Sequence, residues 1–205
     1  MEKPILFNTE MVQAILDGRK TQTRRVIKPQ PCEWVESISF NQYQGRWEFT
    51  GDEGGMMSHA SSFPGQPLLK CPYGKPGDEL WVRETWRTSR VNNLLKPSDL
   101  SQDDKIEYVE SGSQCLGGRI RQSIFMMRWM SRIQLTIKGV RVERVQEISD
   151  GEALAEGVKG AGGMGGGLIT LRDRFQELWN SINEKRGRGW DSNPWVWVVE
   201  FEVKQ

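Results

Sequence analysis

Apolar positions recur along this chain in two rhythms, one of helices and one of strands. Val12, Ile15 and Leu16 fall on one face at helical spacing, which predicts a short helix over residues 10–16. Asn8 or Thr9 can cap its start, and Gly18 can stop it. From Thr21 the rhythm changes to period two. Thr21, Thr23 and Arg25 share one parity and Gln22, Arg24 and Val26 the other, which predicts a strand. A first short strand is predicted at residues 4–7, and a hairpin from residues 34–40 and 46–49, turning through 42–45. After the turn signal Pro76-Gly77-Asp78, residues 79–86 alternate. Leu80, Val82 and Glu84 face one way, and Trp81, Arg83 and Thr85 the other. One short strand is predicted at 106–109. Residues 133–137 and 140–145 alternate again, as one long bent strand or as adjacent strands, with a bulge suggested at Gly139. A last strand runs over Trp195–Val203, with Trp195, Trp197, Val199 and Phe201 on one strongly apolar face.

Two further helices are predicted. Ser149 and Glu152 form a capping box that opens a short helix over 151–156, stopped by Gly157. Glu156 is its last side chain. A carboxylate there meets the negative end of the helix dipole, at a cost of roughly several tenths of a kcal/mol. That placement argues for a partner, plausibly a Lys. Residues 170–184 form the longest helix, with Leu171, Phe175, Leu178, Trp179 and Ile182 as a core-facing stripe. Six glycines crowd residues 160–167. No Gly-Lys-Ser/Thr follows them, so this is a flexible loop and not a Walker loop; a phosphate nest is the weaker alternative. The layout predicts a strand-dominated α+β fold in one domain, residues 1–205, with loop-rich insertions at about 29–72 and 88–121. A small closed or half-closed sheet with helices at its ends fits that order.

Composition narrows the chemistry. The chain has 205 residues with 28 basic and 27 acidic side chains, so no global field advertises a polyanion partner. Three cysteines, Cys32, Cys71 and Cys115, form no CxxC pair, which fits a reducing compartment and speaks against a zinc ribbon or disulfide scaffold. No leader pattern and no apolar run near a membrane span's length is present, so no membrane partner and a cytoplasmic location are expected. His59 is the only histidine, set in a Gly-, Met- and Ser-rich loop, which starves His-based triads and metal sites alike. A hydrolase built on this chain needs a Lys or a carboxylate as its base. Asp99, Asp103 and Asp104 lie in a polar loop and read as solvated, so no metal and no cofactor are expected. Nine tryptophans exceed what a core of this size needs, and some can line a pocket for a flat ligand.

The densest chemistry lies in residues 14–26. Arg19, Lys20, Arg24 and Arg25 stand with Thr21 and Thr23 where a helix ends and a strand begins. A Lys at that junction can reach into a cleft, whereas a basic turn on a solvated face is the plainer reading. Lys20 and Thr23 are three residues apart. A regular strand would set them on opposite faces, so a shared site needs a bend near Lys20 or Thr21. At the end of the 79–86 strand, Arg83 and Glu84 can pair with one another or bind a polar ligand.

The block Ile15-Leu16-Asp17-Gly18-Arg19-Lys20-Thr21-Gln22-Thr23-Arg24-Arg25 resembles the signature of the ASCH domain, a PUA-like β-barrel family. The segment from Ile148 to Gly157, with Ala153 and Glu156, resembles that family's second landmark. The strand from Trp195 to Phe201 resembles its closing strand. The overall layout is similar to ASCH proteins of tailed bacteriophages and prophages, which implies residence in a bacterial host cell. Small bacterial members remove the acetyl group from 4-acetylcytidine. That resemblance implies catalytic Lys20, Thr23 and Glu156: Lys20 accepts the Thr23 proton, Thr23 Oγ attacks the amide carbonyl, and Glu156 holds Lys20. A backbone amide or Arg25 would stabilise the oxyanion. Other members are RNA-binding or RNA-cleaving modules. On that second reading Arg19, Lys20, Arg24, Arg25, Arg83, Arg128 and Arg132 grip phosphates, while Trp81, Trp129 or Trp195 stack on bases and Glu84 contributes polar contacts. The partner is then a nucleoside or RNA. A third reading is an accessory protein that binds a host protein without chemistry.

Overall fold

A computed structural model describes residues 1–43, 45–53, 56–57, 69–160 and 169–204. His59, most of the glycine-rich run at 160–167, and Gln44 in the hairpin turn lie outside the described residues. In chain order the strands are β1 (Glu2–Leu6), β2 (Gln22–Val26), β3 (Val35–Asn41), β4 (Arg46–Glu53), β5 (Met56–Met57), β6 (Glu79–Arg83), β7 (Trp86–Arg87), β8 (Glu107–Tyr108), β9 (Gln134–Arg144) and β10 (Trp195–Val203). The helices are α1 (Thr9–Leu16), α2 (Asp150–Ala155) and α3 (Leu171–Asn183). The fold is a strand-dominated α+β arrangement. Among the described residues no set of strand pairings closes into a barrel. The chain divides into two compact units: residues 1–21, 73–138 and 201–205 in one, and 22–72 with 139–200 in the other.

In the first unit, β1 lies parallel to β6, with Ile5 opposite Val82, and β6 runs antiparallel to the start of β9, with Leu80 opposite Leu135. Leu80, Val82 and Leu135 are fully buried. Helix α1 forms as its pattern predicts. The Asn8 side chain accepts from Met11 N at 2.8 Å, Val12, Ala14 and Ile15 are buried, and Gly18 at φ 71° turns the chain out of the helix. The predicted strand at 79–86 stops at Arg83. Trp86 and Arg87 form the separate strand β7, paired with β8, Trp86 opposite Tyr108. Trp86, Leu100, Met126 and Met130 make a second core beneath this hairpin. The stretch 88–121 is therefore packed rather than loose. Arg121 ties it down, donating to Leu95 O at 3.0 Å and Asn92 O at 2.7 Å with its guanidinium over Trp86.

In the second unit, β10 runs antiparallel to β2, with Val199 opposite Thr23 and Val198 opposite Arg24, and β9 flanks β10 on its other side. Residues 133–137 and 140–145 form one strand, β9. At Gly139 an added Cβ would meet the far end of the Glu200 side chain, Oε2 at 2.8 Å, which can swing aside. Strands β3 and β4 form the predicted hairpin. The capping box of α2 is made: Ser149 N donates to Glu152 Oε2 at 2.9 Å and Glu152 N to Ser149 Oγ at 3.3 Å. Thr170 and Asp173 cap α3 in the same way. Helix α3 sets Phe175 and Trp179 against Val145, Ile148, Ala153, Trp190, Val196 and Val198. Among the described residues, no helix is long and apolar enough to cross a membrane.

Candidate functional site

The basic stretch divides at Thr21. In the first unit, Arg19 folds back on Asp17, its Nη2 2.8 Å from the carboxylate. Strand β2 does not run back through Lys20. Arg19 N and Lys20 N both donate to Ala14 O at 2.9 Å, so the chain bends around the end of α1. Lys20 is 1% exposed, and its Nζ stands 5.6 Å from the centroid of the Phe7 ring. A lysine this buried is rare, since its charge must be compensated or its proton given up.

In the second unit, Gln22, Thr23 and Arg24 are all buried, so both faces of β2 are covered. Gln22 Nε2 donates to Glu152 O at 3.1 Å. Thr23 is 2% exposed. The Arg24 guanidinium is fully withdrawn from water and reaches three carboxylates, one on β9 and two at α2. Nη2 lies 2.8 Å from Glu143 Oε2 on β9 and 3.2 Å from Glu152 Oε1 on α2, and Nη1 lies 3.4 Å from Glu156 Oε1 just past α2. Phe175 of α3 packs over it, 5.9 Å from the ring centroid. Arg141 of β9 joins the network by pairing with Glu143, Glu152 and Glu200. Burial pushes the Glu152 carboxyl upward, but the Ser149 amide and hydroxyl, Arg24 and Arg141 together hold it below its ordinary value. Glu156, at 4% exposure, has the Arg24 guanidinium beside it, which offsets its place at a helix C-terminus.

A second charged group occupies the first unit. Glu84 is buried at the end of the strand that carries β6, and Arg132 grips it through a fork, Nε to Oε1 at 3.0 Å and Nη2 to Oε2 at 2.9 Å. Arg132 Nη2 also donates to Glu110 Oε2 at 2.7 Å, and its guanidinium stands 4.1 Å from the Tyr108 ring. Burial alone would lower the Arg132 pKa; Glu84 and Glu110 outweigh it and raise it. Burial first, and the Glu84 charge second, raise the Tyr108 phenol. Glu84 thus pairs with Arg132 and not with its neighbour Arg83. Arg83 donates to Ile124 O at 3.3 Å and stacks on Trp81, 4.6 Å from that ring. Arg128 pairs with Glu2.

The remaining sequence candidates are spread among these surroundings. Arg25 is half-buried on β2, opposite Trp197. Trp81 and Trp195 are buried, the latter beneath Arg144 at 4.2 Å, and Trp129 is half-buried against the Trp86 core. Sequence reasoning overlooked Glu143, Glu152, Arg141 and Glu110. A signal for the first three was present. Arg141 and Glu143 alternate with Val140 and Val142, which puts them on one face of a strand, and Glu152 was already singled out as a cap. In the polar loop, Asp104 accepts from Ser101 N at 2.8 Å and Asn92 Nδ2 at 2.7 Å, closing a turn.

No family model matches this chain, and no curated protein does. Solved structures that match in backbone include the protein EF3133 of Enterococcus faecalis V583, of the DUF984 family. It is 10% identical, with a TM-score of 0.42 over 99% of this chain and 80% of that one. An ASCH domain of Lactobacillus crispatus JV V101 matches at 10% identity and a TM-score of 0.40, over 98% of this chain and 79% of that one. Likenesses at this level say nothing of chemistry.

Proposed function

We propose that this chain is an amidohydrolase of ASCH, PUA-like type, acting on an acylated pyrimidine nucleoside such as 4-acetylcytidine. The observation that supports it is burial: Lys20, Thr23 and Glu156 are exposed by only 1%, 2% and 4%. Withdrawing an ammonium, a hydroxyl and a carboxylate from water costs on the order of a few kcal/mol each unless they are partnered, and a solvated basic turn has no such cost to meet. Lys20 and Thr23 are three residues apart, so the chain itself keeps their Cα atoms within about 11 Å.

Thr23 Oγ attacks the amide carbonyl and gives its proton to Lys20. Lys20 passes that proton to the departing exocyclic nitrogen, which leaves as the amino group of the intact nucleoside. Water then attacks the acyl-threonine ester, giving up a proton to Lys20, and the acid departs as Thr23 regains its own proton. Glu156 orients Lys20, and Arg25 or a backbone amide stabilises the oxyanion. The alternative, an RNA-binding or RNA-cleaving module, draws less support. Four of its phosphate-gripping cations, Arg19, Arg24, Arg128 and Arg132, are each paired with carboxylates.

The test is acetate release from 4-acetylcytidine, followed by chromatography. The wild type is expected to turn over. Lys20→Ala and Thr23→Ala are expected to lose about 100-fold or more while keeping their circular-dichroism spectra. No acetate from the wild type at high enzyme concentration would sink this reading in favour of an RNA module.

A further inference from the structure

We infer that the outer end of the β3–β4 hairpin is a stacking subsite for a flat heterocyclic ring, held by Phe40 and Trp47. Naming that ring as the pyrimidine of an acylated nucleoside rests on the amidohydrolase reading; the ring-binding surface itself stands on the second unit alone.

The sheet supplies the first half of the site. Where β2 and β10 pair, Val199 stands opposite Thr23 and Trp197 opposite Arg25. Opposed residues of an antiparallel pair project to one face, and so do alternate residues along each strand. Thr23, Arg25, Trp197 and Val199 therefore share a face. The other face is occupied: Val26, Val196 and Val198 pack into the core built on α3, and Arg24 lies against Phe175.

The hairpin supplies the second half. Trp47 meets Trp197 nearly edge-on, with ring centroids 5.0 Å apart at 73°. Phe40 is the cross-strand partner of Trp47, and their centroids are 5.2 Å apart. Ile38 and Phe49 make the next pair on the same hairpin face. That inner pair is buried as a core pair should be, at 8% and 4% exposure. The outer pair is not. Trp47 is half-buried, and Phe40 is 48% exposed. A phenyl ring left half in water forgoes the burial that ordinarily stabilises it. Exposure rises from buried Thr23 through half-buried Arg25 and Trp47 to Phe40, so the aromatic surface is the open end of the face that carries Thr23. The open end is made of π-faces and not of aliphatic side chains, which favours a planar occupant. The edge contact with Trp197 fixes the Trp47 ring beforehand, so little ordering is left for the ligand to supply.

Equilibrium dialysis with cytidine, the nucleoside product, tests the subsite without turnover. The wild type is expected to bind it. Phe40→Ala is expected to bind about 5- to 100-fold more weakly, and Trp47→Phe, which keeps a ring, within about threefold of wild type. Wild-type affinity in Phe40→Ala, or no binding by the wild type at millimolar cytidine, overturns the inference. If Phe40→Ala does not fold, Phe40→Leu carries the test. It keeps the apolar bulk without the π-face and should bind several-fold more weakly; unchanged affinity overturns the inference. With 4-acetylcytidine, Phe40→Ala is expected to raise KM by a similar factor and leave kcat within about threefold, because stacking grips the substrate and its transition state alike. A fall confined to kcat overturns it. Cytidine binding that weakens in Phe40→Ala, with no acetate release by the wild type, sinks the amidohydrolase reading and leaves the subsite standing. Acetate release with KM unmoved in Phe40→Ala does the reverse.

Discussion

Arg132 and Glu84 meet through both arms of a fork at the end of a buried strand, and little of the Glu84 side chain reaches water. Removing one partner of such a pair leaves the other charge stranded. Glu84→Gln is therefore expected to destabilise the protein by about 3 kcal/mol, read as a lower urea midpoint at unchanged slope. Glu152 gives the opposite kind of test, through pH. Its folded carboxyl is held below its ordinary value. The stability it contributes is thus complete above its unfolded value and disappears as pH falls through the lowered folded one. The Tm difference between wild type and Glu152→Gln should be full at neutral pH and shrink between about pH 5 and pH 3. A difference that stays constant over that range would mean the carboxylate's charge contributes nothing. At this scale the sequence was partly legible. Glu156 was marked as needing a partner because helix dipoles are a local rule. That Arg24 is among its partners was not legible, because their pairing spans 132 positions of sequence.

Elements show the same divide between local and distant rules. Helix α2 was readable almost to the residue, since its cap is written in four consecutive positions. Ser149→Ala should cost about 1 kcal/mol, measurable by urea titration. Glycines that serve close approach were not readable. Gly118 lies in the stretch expected to be a loop-rich insertion, yet a Cβ on it would run into the carbonyl of Thr88. Gly118→Ala is expected to lose about 2 kcal/mol, and wild-type stability in that variant would show that the backbone there can yield. The strand at 79–86 was overextended for a related reason. Alternation continues through Glu84 and Thr85, and only the pairing of Trp86 with Tyr108 draws the chain off. Periodicity reports which face is buried, not which partner is chosen.

For the whole molecule, charge is the feature most open to inspection. Basic and acidic residues number 28 and 27, and the most buried arginines are spent on internal carboxylates or carbonyls. Mixed-sequence single-stranded RNA is expected to bind with a Kd no tighter than about 10⁻⁶ M at physiological salt. Filter binding across a salt series checks this, and nanomolar binding with a steep salt slope would move the assignment to an RNA module. The two compact units were hidden from the sequence, because neither is a continuous stretch. The stretch 29–72 falls in one unit and 88–121 in the other, and composition carries no mark of that.

Strand β10 serves both units: Trp195–Glu200 belongs to one and Phe201–Val203 to the other. Neither unit can be completed while that strand is still within the ribosome. A nascent chain must keep Val145, Phe175 and Trp179 from unwanted partners until Val196 and Val198 arrive to cover them. A chain cut just before Trp195 would therefore leave both units incomplete in a single event.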